Sequence, residues 1–152
     1  MSQIPVMKRP RLKSVAPLDG YRLSLVFQND VCFVVDLSED VQSLSGLKPL
    51  KDMELFNTAT LIEGEGWTVE WPKADIQIGA DTLWLDALAQ SAPDENSRTF
   101  VRWRQKYQLS RVEAAHALGI TPRTVSAYTN FERPVPQYIA LACKGWEYEH
   151  QK

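Results

Sequence analysis

From Leu12 to Leu37 the chain alternates in the two-residue period of half-buried strands: Tyr21, Leu23, Leu25 and Phe27 are interleaved with Arg22, Ser24 and Val26. Asp19-Gly20 and Asn29-Asp30 are turn signals, and Val31 to Leu37 is rich in β-branched and aromatic residues, so 12 to 37 is predicted to be a three-stranded antiparallel meander. Ser38 to Leu50 reads as a short helical turn and loop, followed by a brief helix or turn around Met53 to Phe56. Thr58 to Glu63 and Trp67 to Trp71 flank Gly64-Glu65-Gly66, which predicts a hairpin that Pro72 ends. Asp81-Thr82 can cap a helix over Leu83, Trp84, Leu85, Leu88 and Ala89, whose apolar side would cover the sheet.

Periodicity lapses over Gln90 to Ser97, read as a linker, and returns with a helical repeat. Ser97 is expected to cap a helix with Phe100, Val101, Trp103 and Tyr107 inward and Arg102, Arg104 and Lys106 outward. Pro134-Val135-Pro136 interrupts the chain before a last helix that offers Ile139, Ala140, Ala142, Cys143 and Trp146 for packing and is ended by Gly145 and the acidic tail. The pattern gives an α+β chain: a small antiparallel β-sheet domain over 1–90, then an all-α domain of about four helices over 97–152.

Within the helical part, Ser110 and Glu113 have the spacing of a capping box, opening a helix that runs to about Leu118. Gly119 supplies the sharp turn, because glycine takes positive φ without a Cβ clash. Thr121 and Pro122 form the N-cap and first turn of a second helix. Ala114, Ala115 and Leu118 face Val125 and Tyr128 across the turn, with Ile120 in the corner. Cap, small residue, glycine, corner aliphatic and second cap together specify a helix-turn-helix, a DNA-binding element. Thr121, Pro122, Arg123, Ser126, Ala127 and Asn130 would then lie nearest the base edges, and Arg111, Thr124 and Arg133 nearest the backbone.

Leu109 to Pro134 resembles the lambda-repressor-like helix-turn-helix family, whose usual run is close to L-S-x-x-E-A-A-x-x-L-G-I-S-x-R-T-V-x-x-Y-E-N-G-x-R-x-P. Two positions depart from it: Thr129 stands for the usual acid and Phe131 for the usual glycine, so the left-handed residue ending the second helix is expected at Asn130 or Phe131. The first part also resembles a small uncharacterised bacterial α+β family, through Tyr21-x-Leu23, Val35-Asp36-Leu37, Gly46-Leu47 before Leu50-Lys51-Asp52, and Val69-Glu70-Trp71-Pro72. Some members of that family carry a helix-turn-helix behind this domain, which implies an association with DNA and no known activity.

The net charge of −2 argues against a nucleic-acid binder until it is divided along the chain. Residues 1–92 carry 8 Lys+Arg against 13 Asp+Glu, whereas 97–146 carry 8 against 2, so the basic surface that phosphate requires is confined to the helical part. Lys8, Arg9, Arg11 and Lys13 form a basic cluster that could be a DNA-touching arm or a solvated tail. Cys32 and Cys143 have no metal-ligand spacing and are expected as buried thiols, and with His116 and His150 as the other candidate ligands no metal or cofactor is expected.

Asp36, Asp40, Glu63, Glu65, Glu70 and Asp75 form no recognisable acid/base arrangement, so the chain is not expected to be an enzyme. Trp67, Trp71 and Trp84 are expected in a core rather than lining a pocket. No apolar run resembles a signal peptide or a membrane span, so a cytoplasmic protein is expected. These observations describe a DNA-binding transcriptional regulator on double-stranded DNA, acting as a homodimer through the first domain or the last helix. The alternative is an antitoxin-like or adaptor protein whose first domain binds a partner protein.

Overall fold

The computed structural model describes residues 9–62 and 65–151, which form two compact units divided between Trp84 and Leu85. Lys8 of the basic cluster, and Glu63 and Gly64 of the expected hairpin, lie outside the described residues. The chain is α+β: two three-stranded antiparallel sheets come first and a group of helices follows.

In the first unit β1 (Leu12–Leu18), β2 (Arg22–Phe27) and β3 (Cys32–Asp36) form the expected meander in the order β1-β2-β3. The alternation in β2 buries Leu23, Leu25 and Phe27 completely, while Ser24 and Val26 stay half-buried on the other face. After α1 (Ser38–Ser43), a 3-10 turn (Ser45–Lys51) and α2 (Met53–Phe56), the chain enters a second sheet. Here β4 (Thr60–Leu61) and β5 (Thr68–Trp71) make the expected hairpin.

A third strand, β6 (Ile76–Gly79), follows beyond Pro72, where the sequence pattern ends the hairpin. Pro72–Ala74 instead forms a single 3-10 turn, and Asp75 at φ 55° reverses the chain so that Ile78 pairs with Val69 and Ile76 with Trp71. A left-handed aspartate is tolerated because its short polar side chain lowers the cost of that backbone.

Trp71 and Trp84 are core residues. The Trp71 indole nitrogen donates to the Phe56 carbonyl at 2.9 Å, and the Trp84 ring meets Phe27 and Phe33 edge-on at 4.8 and 5.7 Å. Trp84 sits on α3 (Ala80–Gln90), which opens one residue before the Asp81-Thr82 cap read from the sequence. Trp67 departs from the core expectation: it is 46% exposed, with the Arg11 guanidinium 5.0 Å from its ring centre. Cys32 also departs, being exposed on the outermost strand, whereas Cys143 is buried.

The second unit contains α4 (Glu95–Lys106), α5 (Arg111–Leu118), α6 (Pro122–Thr129) and α7 (Gln137–His150). The segment read as a linker closes within a few residues, because Asp94 caps α4 by accepting from Ser97 N at 2.7 Å. Ser97 is therefore not the cap, and its hydroxyl is buried without a hydrogen-bond partner. Phe100, Val101 and Trp103 form the expected buried stripe, and Phe100 meets Tyr128 of α6 edge-on at 5.4 Å.

Gly145 does not end α7, which continues to His150. The reason is aromatic packing: Trp146 lies edge-on to Trp103 at 5.5 Å and to Tyr107 at 4.9 Å, and Lys106 pairs with Glu147. Among the described residues no helix is long and apolar enough to cross a membrane, and no group of three or more His, Cys, Asp or Glu side chains could hold a metal ion.

Candidate nucleic-acid interface

α5 begins with a complete capping box. Ser110 Oγ accepts from Glu113 N at 3.0 Å, and Glu113 Oε1 accepts from Ser110 N at 2.9 Å. These two bonds favour the ionised carboxylate and hold the Glu113 pKa below its ordinary value. Gly119 ends the helix at φ 69°, and Ile120 N donates back to Ala115 O at 3.0 Å. Thr121 then caps α6 through Thr124 N at 3.1 Å, with Pro122 at the first helical position. Ala114, Ala115, Val125 and Tyr128 are buried, so small residues on α5 let α6 approach closely.

The structure brings some of the expected contact residues to the surface and withdraws others. Thr121, Arg123, Arg111 and Arg133 are exposed, while Pro122, Thr124 and Ser126 are half-buried. Arg111 Nη1 reaches Ser126 Oγ at 3.4 Å, which joins the start of α5 to the outer side of α6. The Thr121 and Thr124 hydroxyls lie 2.8 Å apart.

Ala127 and Asn130, expected among the base-edge residues, are both only 7% exposed. The chain after α6 folds back, with Arg133 N donating to Ala127 O at 3.2 Å, and Asn130 spends its side-chain oxygen on Glu132 N at 3.0 Å. Phe131, not Asn130, is the left-handed residue, at φ 62° against −95°. The phenylalanine is held there by Phe131 N to Tyr128 O and by the Asn130 bond that fixes the next residue.

Arg104 was expected outward and is instead partly buried. Its Nη1 donates to Thr129 Oγ1 at 2.9 Å and its Nε to the Leu109 carbonyl at 3.2 Å, so one guanidinium joins the end of α4, the approach to α5 and the end of α6. Burial, with a smaller contribution from the Arg111 charge, lowers its pKa to about 10. The clue in the sequence was Thr129 itself. A hydroxyl where the related pattern has an acid still accepts a hydrogen bond, and something nearby must donate it.

With the cap pair, the tight turn and a surface of Arg111, Thr121, Arg123 and Ser126, this face presents cations and hydroxyl donors around the N-terminal half of one helix. Phosphate oxygens and base-edge acceptors are the groups that such a surface satisfies.

Residues 12–88 match the family model described as protein of unknown function DUF2442. No curated protein matches the chain. Among solved structures, the crystal structure named "Putative DNA Binding Protein NE0471" of Nitrosomonas europaea is similar over 95% of this chain and 90% of that one, with 32% identity and a TM-score of 0.56.

Proposed function

The chain belongs to the DUF2442 family of proteins of unknown function, and from that premise we propose that its helical unit makes it a sequence-specific DNA-binding protein and a transcriptional regulator. The unit is read as a lambda-repressor-like helix-turn-helix carried behind the family domain. One observation carries the reading: α5 and α6 are joined by Gly119 at φ 69° between two side-chain caps, with Arg123 exposed in the first turn of α6. The name of the Nitrosomonas relative supports the same direction. The protein acts without catalysis, in the cytoplasm, as a homodimer on two half-sites, because one such module buries limited surface on DNA.

With Ala127 and Asn130 turned inward, base reading falls to Thr121, Pro122, Arg123 and Ser126, and backbone contact to Arg111, Thr124 and Arg133. Arg123 is the long cation of the first group and can span the O6 and N7 of guanine. The test is a gel-shift titration of the full chain on a duplex selected from a random-sequence pool, against a scrambled duplex. Arg123→Ala should cut the preference for the selected duplex roughly tenfold, the effect of losing about 1.4 kcal/mol of base discrimination. An equal loss on both duplexes would assign Arg123 to phosphate and remove it from base reading.

A further inference from the structure

α4 and α7 flank a cleft of about 230 Å³ in the helical unit. On α4, Arg102, Trp103 and Lys106 follow Thr99 by three, four and seven residues, so the four share one face of that helix. Cys143, Lys144 and Glu147 line the cleft from α7. None of these residues belongs to α5 or α6, so the cleft stands apart from the surface read above as the DNA contact.

Its floor is apolar and its rim is charged. Trp103 and Cys143 are buried, whereas Arg102, Lys106 and Lys144 are exposed. The Trp103 ring is braced by Phe100 at 6.0 Å and by Trp146 edge-on at 5.5 Å, so the floor is already formed. The Trp103 indole N–H is buried there without a hydrogen-bond partner.

The charges of the cleft do not cancel. Glu147 is its one carboxylate and is taken by Lys106 at 3.4 Å. Cys143 adds no negative charge, because burial pushes its thiol up to about 12. Among the described residues Arg102 and Lys144 form no ion pair, which leaves two cations beside an apolar floor.

Two cations alone suit any oxyanion, and the floor narrows the choice. Inorganic phosphate carries oxygens on every side, and seating it on Trp103 and Cys143 strips water from oxygens that find no partner. A carboxylate joined to a flat apolar body divides as the cleft does, into a charged end and an apolar one. The volume lies below the roughly 300–1,000 Å³ of sites for drug-sized ligands, which limits that body to about one ring.

We propose that the α4–α7 cleft binds a small monocyclic organic acid, with its carboxylate between Arg102 and Lys144 and its ring against Trp103. The proposal gives the helical unit a ligand besides DNA and does not depend on the DNA reading.

Benzoate is the probe, followed through the assigned indole N–H signals of the isotope-labelled full chain by nuclear magnetic resonance. The Trp103 signal should move and saturate with a Kd of about 1 mM or below, as suits a ligand of about nine heavy atoms. The signal of Trp67, exposed in the first unit, should stay in place. Sodium phosphate and sodium chloride at the same ionic strength should leave the Trp103 signal where it is. Replacing both exposed cations, Arg102→Met with Lys144→Met, should raise the Kd for benzoate about tenfold or more and leave the fold unchanged by circular dichroism.

The absence of a saturable shift with benzoate overturns the proposal, as does an equal shift with phosphate or chloride. Benzoate binding by the double variant at wild-type strength also overturns it, and if that variant has lost affinity for duplex DNA in a gel shift, the two cations belong to the DNA backbone contact instead.

Discussion

Gly119 and Gly66 show how differently a single glycine can be required. At Gly119 a Cβ would meet nothing within 4 Å, so the constraint lies in the backbone, whose φ of 69° is costly for any L side chain. Gly119→Ala should therefore lower stability by about 1 kcal/mol. At Gly66 (φ 84°) a Cβ would lie 2.0 Å from the Leu12 carbonyl oxygen, in the place where Leu12 N donates to Gly66 O at 2.7 Å. Gly66→Ala must displace β1 or its neighbour and should cost roughly 3 kcal/mol or more. Urea denaturation midpoints of the two variants separate the cases, and equal losses would contradict the close approach at Gly66. The turn role of each was legible in the sequence, because it is local, whereas the close approach at Gly66 depends on a strand more than fifty residues away.

At the scale of elements, what the sequence made legible followed the range of the interaction. The meander, the capping box and the α6 cap are set by neighbours a few residues apart, and all were readable from spacing. β6 was missed because four residues are too short for a period and its turn depends on Asp75 in a left-handed conformation. The start of α4 was misplaced because Asp94 and Ser97 are both good caps by composition, and burial decides between them. The same limit applied to the candidate interface: spacing put Ala127 and Asn130 on the outer side of α6, but both are buried, and the chain returns after α6 so that Arg133 N bonds Ala127 O and Glu132 N bonds the Asn130 side chain.

The corrected start of α4 has a direct check. Asp94→Ala should cost about 1 kcal/mol through loss of the cap. Ser97→Ala removes a buried hydroxyl that has no partner, and should be neutral or stabilising. If thermal denaturation shows Ser97→Ala as the more damaging change, the cap is misassigned.

The capping box of α5 makes a prediction about pH. Glu113 has a folded pKa below its ordinary 4.5, so it contributes stability that is present above that value and lost as pH falls through the folded pKa. Glu113→Gln should be less stable than wild type at neutral pH, and the difference should shrink on acidification to about pH 3. Denaturation midpoints across that range check it, and a gap that widens toward acid would contradict the assigned bonds.

For the whole molecule, the division of charge matters more than its sum. A net −2 conceals 8 basic against 2 acidic residues over 97–146, and the acidic excess lies in the family domain. Cations that replace counterions on phosphate give binding a steep dependence on salt, and each contact removed lowers the log–log slope by about 0.9. Arg111, exposed and hydrogen-bonded to Ser126 of α6, is the proposed backbone contact to remove. The decisive measurement is the affinity of the full chain for duplex DNA as a function of salt, for wild type and Arg111→Ala. The account predicts binding that weakens steeply with salt, with Arg111→Ala weaker on selected and scrambled duplexes alike and its slope lower by about one contact. Binding indifferent to salt, or an Arg111→Ala curve coincident with wild type, would contradict it.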